Sequence, residues 1–289
     1  MIKALIMSVI LAGTILASQF QHHKIKNLKN VTDEQWELIF QDEFDGDQID
    51  QSKWNIANNF THTQKEQQIY FPENAYTENG NLVIKTVFQP TFYAPFNRTY
   101  NYTSAWLDSS KKFNFTSGSK IEARILLPKT SKGDQIWPAF WTKGELAPWP
   151  SGGEIDIMEM STNWYGDNLP HLYGTYHWGQ PGEDYCGGCG TIFPDFQLNL
   201  DEYINFSIIW DDNQITWYVN DIQYRINQQG VFYNNTSVHE PIDLPQFPQY
   251  LIINDAIDGF ATPNQAEYPK YMKIDYVRAY KKIITSSDH

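Results

Sequence analysis

The sequence predicts an all-β chain, an antiparallel β-sandwich, and three observations predict it. Short apolar runs recur from Trp36 onward, several of them alternating apolar with polar. Gly, Pro, Asn and Asp separate them, as turns between short strands require. No stretch carries a sustained helical period with caps at both ends. There is no internal repeat and no Pro- or Gly-rich linker, so a single domain over 34–283 is expected.

In chain order, Leu38–Phe40 is a short apolar segment ahead of Asp42-Glu43-Phe44-Asp45-Gly46. Glu78-Asn79-Gly80-Asn81 precedes the run Leu82–Val87, and Asn-Gly is a strong tight-turn signal. Further strands are expected over Ser119–Leu127, Ile136–Trp141, Tyr203–Trp210, Gln214–Val219, Tyr250–Ile253 and Met272–Tyr280. Ile208–Val219 reads as a hairpin around Asp211-Asp212-Asn213. Trp36, Trp210 and Trp217 sit in apolar runs and are assigned to the core.

Apolar residues make up 41% of the 289-residue chain and aromatics 16%, which suits a packed core and excludes a disordered composition. The net charge of -13 argues against nucleic acid or an acidic membrane surface as partner and suits a neutral ligand. Residues 1–18 have one Lys, an apolar run short for a bilayer, and small residues at the end, the pattern of a secretory leader. An uncleaved anchor is the alternative. Residues 19–33 form a polar lead-in and 284–289 a tail. Secretion is also favoured by Asn-x-Ser/Thr sequons at Asn30, Asn59, Asn97, Asn101, Asn114, Asn205, Asn234 and Asn235, against roughly two or three expected by chance. Cys186 and Cys189 are the only cysteines; without further ligands at metal spacing, a small loop disulfide is expected outside the cell, with free thiols as the alternative. No membrane contact after leader cleavage and a monomeric state complete this reading.

The stretch with chemical content is Ser151-Gly-Gly-Glu-Ile-Asp-Ile-Met-Glu-Met160. Its alternation reads as a strand with Glu154 and Asp156 on one face. Glu159 has the opposite parity and joins them only if a β-bulge near Ile157-Met158 resets the alternation. Carboxylates crowded on one face repel each other, so they do not stabilise a sheet. Taken alone, the six residues also read as a solvated acidic face on an edge strand. Gly152 and Gly153 leave room for a close approach ahead of Glu154.

Tryptophans cluster around this strand: Trp137, Trp141 and Trp149 before it, Trp164 and Trp178 after it. A flat indole face suits the C–H-rich face of a sugar ring, and Trp149, beside two prolines, reads as a loop residue at the mouth of the site. With a bulge, Glu154 and Glu159 are about four strand steps apart, roughly 13 Å between Cα atoms. Inward-leaning side chains then bring the carboxyls to about 5–6 Å, nearer the retaining than the inverting arrangement of glycoside hydrolysis. Asp156 between them would raise a neighbour's proton affinity. There is no Gly-x-Ser-x-Gly elbow, His-Glu-x-x-His or phosphate-binding Gly-Lys-Ser/Thr loop.

Glu154-Ile-Asp-Ile-Met-Glu159, with Asp42–Gly46, Asn79–Leu82, Trp137–Trp141, Gly174-Thr-Tyr-His-Trp178 and Ile274–Arg278 in order around it, resembles glycoside hydrolase family 16, in particular its laminarinase-like endo-β-1,3-glucanases. The resemblance covers about Trp36 to Tyr280. It implies a jelly-roll sandwich with a concave substrate cleft, Glu154 as nucleophile, Glu159 as general acid/base and Asp156 as the assisting carboxylate. It places His177 beside the catalytic subsite, and Trp137, Trp141 and Trp149 on the sugar. Trp106, Glu66 and Asn254 join the substrate-binding positions. No cofactor is implied for catalysis, but a structural Ca²⁺ is, at Glu43, the Gly80 carbonyl and Asp275. Three departures stand out. Trp106 replaces an Arg, Gln64-Lys65 replaces an Asn pair, and Asp255 and Asp258 replace an apolar residue and a glycine. The activity implied is a secreted retaining endo-β-glucanase acting on β-1,3-linked glucan, with transglycosylation, mixed-linkage cleavage or non-hydrolytic glucan recognition as alternatives.

Overall fold

In the computed structural model the described residues are 35–131, 133–162, 164, 170–187, 199, 201–232, 240–259 and 262–283. The leader, the lead-in, the tail, Cys189 and the sequons at Asn30, Asn234 and Asn235 lie outside them. Residues Trp36–Lys282 form one compact unit.

Among the described residues strands alone build it, apart from short 3-10 turns. They are β1 (Trp36–Asp42), β2 (Asn55–Ile56), β3 (Gln68–Tyr70), β4 (Ala75–Thr77), β5 (Leu82–Tyr93), β6 (Arg98–Ser104), β7 (Trp106–Asp108), β8 (Ser119–Leu126) and β9 (Ile136–Gly144). After these come β10 (Glu154–Ser161), β11 (His171–Gln180), β12 (Glu183–Gly187), β13 (Ile204–Trp210), β14 (Gln214–Val219), β15 (Ile222–Gln228), β16 (Gln249–Ile257) and β17 (Lys270–Lys282). They form a ten-stranded sheet in the order β15-β14-β13-β8-β17-β5-β6-β3, with β1 on β17 and β4 on β5, and a seven-stranded sheet in the order β12-β11-β10-β9-β16-β7-β2. All named pairs are antiparallel except β3 with β6. Among the described residues no helix is long and apolar enough to cross a membrane.

The sandwich follows from alternation. In β8, Ile121, Ala123 and Ile125 are fully buried and pack with Ile155, Phe206, Ile208 and Trp217 in one core. The hairpin of β13 and β14 turns where Asp211-Asp212-Asn213 predicts, with Phe206 opposite Val219 and Trp210 opposite Ile215. The turn of Glu78–Asn81 closes with both cross-bonds, and Asn79 and Gly80 take positive φ of 53° and 70°, as a tight hairpin turn of this kind requires. Trp210 and Trp217 are core residues as expected. Trp36 is not: it is half-buried at the start of β1, whose Leu38 and Ile39 are exposed.

The seven-stranded sheet buries a second, smaller cluster on its other face: Tyr70, Trp106, Ala139, Trp141 and Ile252. Trp141 and Ala139 flank the core residue Phe140, and Ile252 lies between core residues Leu251 and Ile253. The period of two therefore puts this aromatic cluster on the face opposite the core. That face carries the candidate site.

Candidate active site

β10 lies inside the seven-stranded sheet, paired on both sides, so the edge-strand reading of its carboxylates falls. Against β9, Asp156 faces Trp141 and the next partners are Met158–Phe140 and Glu159–Ala139; against β11, Asp156 faces Thr175 and Glu159 faces Tyr173. One extra residue, Ile157, is thus absorbed between Asp156 and Met158. The bulge is where the parity demands it. Ile155, Ile157, Met158 and Met160 all enter the core, while Glu154, Asp156 and Glu159 line one hollow together with His62, Glu66, Trp106, Trp137, Trp141 and Asn254.

The strand is braced from behind. Trp217 donates its indole N–H to the Asp156 carbonyl at 2.8 Å, and Arg225 donates to the Gly174 carbonyl at 2.5 Å. Gly174 permits this approach, because a Cβ there would meet the Tyr224 hydroxyl at 2.1 Å. Ahead of the strand, Gly153 takes a φ of 79° and the Gly152 carbonyl accepts from Gln249 Nε2 at 2.8 Å.

Burial sets the electrostatics. It raises Glu154, a rise opposed chiefly by the charge of His177. Burial also pushes Asp156 well above the usual carboxylate range, with Glu159 and Glu154 adding to the rise. Glu159 is pushed up to about 7, burial again leading, while His177 and the hydrogen bond from Trp137 pull it down. Trp137 donates its indole N–H to Glu159 Oε1 at 2.9 Å. Burial works against a charge on His177, but the hydrogen bond with Asp184 and the charges of Glu154, Asp184 and Glu159 outweigh it, so its proton affinity rises. Its Nδ1 lies 2.9 Å from Asp184 Oδ1; its Nε2 lies 3.5 Å from Asp156 Oδ2 and 3.9 Å from Glu154 Oε1. Donor atoms of Glu154, Asp156 and His177 fall within 4.8 Å of one another, a set that could also hold a cation. Chemically, the arrangement holds one carboxyl protonated near neutrality beside another whose anion an imidazolium stabilises, the division that acid and nucleophile need.

The predicted binding residues converge. Trp141 is buried, donating to Asn254 Oδ1 at 2.7 Å, and stands edge-on to Trp106 at 5.4 Å. Trp106, where the resemblance expected an Arg, extends the apolar wall, its N–H given to Asp108 Oδ2 at 3.1 Å. Glu66 is buried, with Gln68 and Tyr70 as partners. Trp149 is exposed at the mouth, its ring 6.2 Å from that of His177. Asp255, one of the departures, is buried in the interior and pushed up to about 8 by burial, accepting from the Thr86 hydroxyl at 2.7 Å. Asp258 accepts from the Trp164 indole at 2.6 Å.

Away from this face, both oxygens of Glu43 accept from Arg278 at 2.8 Å, and Asp275 Oδ2 accepts from Arg124. Of the three positions assigned to Ca²⁺, Glu43 and Asp275 thus each already pair with an arginine. Carboxylate and carbonyl oxygens are hard ligands suited to Ca²⁺, and each carboxylate oxygen keeps a lone pair beside its arginine. Cys186 is disulfide-bonded.

Sequence reasoning missed His62, Asp184 and the pairing of Trp164 with Asp258. His62 and Asp184 stand in no motif, and only the folded register brings them to the cleft. Beside the catalytic hollow, His62, Glu66, Arg98, Trp137, Trp164 and Asp258 line a further cavity of about 780 Å³.

The chain matches the family described as beta-glucan synthesis-associated protein SKN1/KRE6/Sbg1 over residues 6–151. It is 33% identical over 266 residues to a glucan endo-1,3-beta-glucosidase A1 of Niallia circulans, covering 85% of this chain and 38% of that protein. Thus the chain spans well under two thirds of that relative's length. It is 32% identical over 267 residues to a beta-glucanase of Rhodothermus marinus, covering 85% of each. Among solved structures, the laminarinase catalytic domain of Thermotoga maritima superposes with a TM-score of 0.69 at 32% identity, covering 87% of this chain and all of that one.

Proposed function

Because the chain belongs to glycoside hydrolase family 16, alongside its laminarinase-type endo-1,3-β-glucanases, we propose that it is itself an endo-β-glucanase cleaving internal β-1,3-glucosidic bonds of a neutral glucan. The observation that carries this reading is the bulged strand, which turns Glu154, Asp156 and Glu159 onto one aromatic-walled cleft. Glu154 attacks the anomeric carbon, and its anion is favoured by the charge of His177. Glu159, raised to about 7, protonates the leaving oxygen and then draws a proton from the water that releases the glycosyl-enzyme. Asp156, whose proton affinity burial and the two neighbouring carboxylates raise, is the assisting carboxylate beside the nucleophile.

Retention, secretion after loss of residues 1–18, a monomeric state and a structural Ca²⁺ are parts of the same proposal. Exposure of Asn59, Asn97, Asn101 and Asn114 supports glycosylation on a secretory route. Reducing-end release from soluble β-1,3-glucan, with β-1,3/1,4, β-1,4 and galactan substrates beside it, tests the activity. Glu154→Gln should abolish turnover, and full activity in that variant would refute the assignment. NMR of the first product tests retention, since an inverted anomer excludes a glycosyl-enzyme. The description of the matched family as synthesis-associated favours one second reading, transfer of the glycosyl group to another glucan; products longer than the starting oligosaccharide would reveal it.

A further inference from the structure

On the cleft wall on the far side of β9 from His177, one ring nitrogen has no partner among the described residues. Glu159, Ala139, Asn254 and Trp106 form a row across β10, β9, β16 and β7. At about 4.8 Å per strand, the row extends the cleft roughly 14 Å from the acid. Its polar groups are mutually satisfied. Asn254 accepts from Trp141 and donates to the Tyr70 hydroxyl at 3.2 Å. Glu66 Oε2 accepts from Gln68 at 2.5 Å and from Tyr70 at 3.3 Å. The Trp106 N–H is held by Asp108.

His62 differs. Its ring lies against Trp106 at 5.3 Å and Trp141 at 5.9 Å, and it lines both the catalytic hollow and the adjoining cavity. Nδ1 sits 3.2 Å from Glu66 Oε1, so Nε2, at the opposite edge of the ring, points away from Glu66 and has no partner among the described residues. The loop that carries it is fixed in place. Lys65 N donates to Thr63 Oγ1 at 3.0 Å, Arg98 Nη1 to the Gln64 carbonyl at 2.6 Å, and Gln67 N to the Ile257 carbonyl at 3.1 Å. Gly259 comes so near that a Cβ there would lie 1.7 Å from the Lys65 carbonyl.

We propose that His62 is a sugar-binding residue, its Nε2 hydrogen-bonding a hydroxyl of the glucan unit seated on the Trp106–Trp141 side of the catalytic centre, with Glu66 as the residue that positions the ring. The neutral ring, giving its Nδ1 proton to Glu66, accepts from the hydroxyl at Nε2; the protonated ring donates to it. Contact therefore persists in both states. This inference rests on the glucanase reading and adds a specificity-determining residue to it.

The test uses His62→Ala and His62→Phe, the second keeping an aromatic ring over Trp106 while removing Nε2, and His62→Gln, which restores a polar group. KM for β-1,3-glucan should rise about three- to tenfold in both Ala and Phe variants, the worth of one hydrogen bond, with kcat nearly unchanged and most of the loss recovered by Gln. Calorimetric binding of a β-1,3-linked oligosaccharide to Glu154→Gln, with and without His62→Phe, should show the same ratio. Unchanged KM and binding in the Phe variant overturn the proposal, as does a loss confined to kcat. Should the parent enzyme ignore β-1,3-glucan, the functional reading fails separately, and the comparison is made on whichever panel polysaccharide the parent cleaves.

Discussion

Trp137→Phe should extend activity to higher pH, although it removes a contact of the acid. The indole N–H donates to Glu159 Oε1 at 2.9 Å and favours the carboxylate, drawing the group down toward about 7 from where burial would put it. A hydrogen bond to an ionised group is worth about 1.5–3 kcal/mol, or roughly one to two pH units. Because Glu159 is only partly shielded and water can replace the indole, the lower figure applies, about one unit. The sign is fixed: the acid must be protonated, so activity falls as pH rises through its pKa, and losing a donor to the anion raises that pKa. The alkaline limb of kcat/KM, which reports the free enzyme's acid, should therefore move up by about one unit in Trp137→Phe. The assay is initial-rate release of reducing ends from soluble β-1,3-glucan across neutral and alkaline buffers. A lower plateau would reflect the smaller sugar platform and is no test. A limb that stays in place or moves to lower pH would refute the role given to Trp137, and with it the assignment of Glu159 as the acid.

Glu159→Gln should stabilise the fold while abolishing turnover. The folded-state pKa is raised from 4.5 to about 7, so the folded state binds the extra proton across that window and wild-type stability falls as pH rises through it. In urea titrations the variant should match wild type below about pH 4 and exceed it above pH 7 by at most roughly 3 kcal/mol; a variant no more stable at pH 8 would contradict the burial argument. Asp184→Asn should lower the pKa of His177, followed by the NMR shift of its ring proton, because it removes a charge that favours the imidazolium; an unmoved titration would show that Glu154 and Glu159 suffice. If Ca²⁺ binds at Glu43, Gly80 and Asp275, a chelator should lower the melting temperature and Ca²⁺ should restore it; identical melting curves would remove the ion from the proposal.

The interior strands were legible because their side chains alternate without interruption: β8, β13 and β14 fall within a residue of their expected ends. β11 was not. His171-Leu-Tyr-Gly-Thr-Tyr-His-Trp-Gly-Gln180 carries two glycines that read as breaks, yet Gly174 is there because Trp217 and Tyr224 press against it. β15 was missed for another reason: its exposed Ile222 and Ile226 and its buried Arg225 and Asn227 invert the usual pattern of an outer strand. Parity showed that Glu159 could join Glu154 and Asp156 only through a bulge near Ile157-Met158, and the surrounding tryptophans and the family resemblance favoured that over a solvated edge face. His62 and Asp184 could not be read in this way, because each acts through a neighbour supplied by the fold: Trp106 packs under His62, and His177 faces Asp184. The substitution of Trp106 for an Arg was visible in the sequence, but not that the indole would roof a cluster with Phe60, Tyr70 and Trp141.

The bulge at Ile157 also bears on how this strand tolerates insertions and deletions. Remove Ile157, and Glu154, Ile155, Asp156, Met158 and Glu159 alternate without a break; Met158 keeps its inward place and Glu159 stays on the open side. Loss of Ile155 would instead turn Glu154 toward the interior, because a shift of one residue reverses every side chain beyond it. Chain length in β10 is thus negotiable at one point, which lies between the carboxylates, where a change in length leaves their orientation intact.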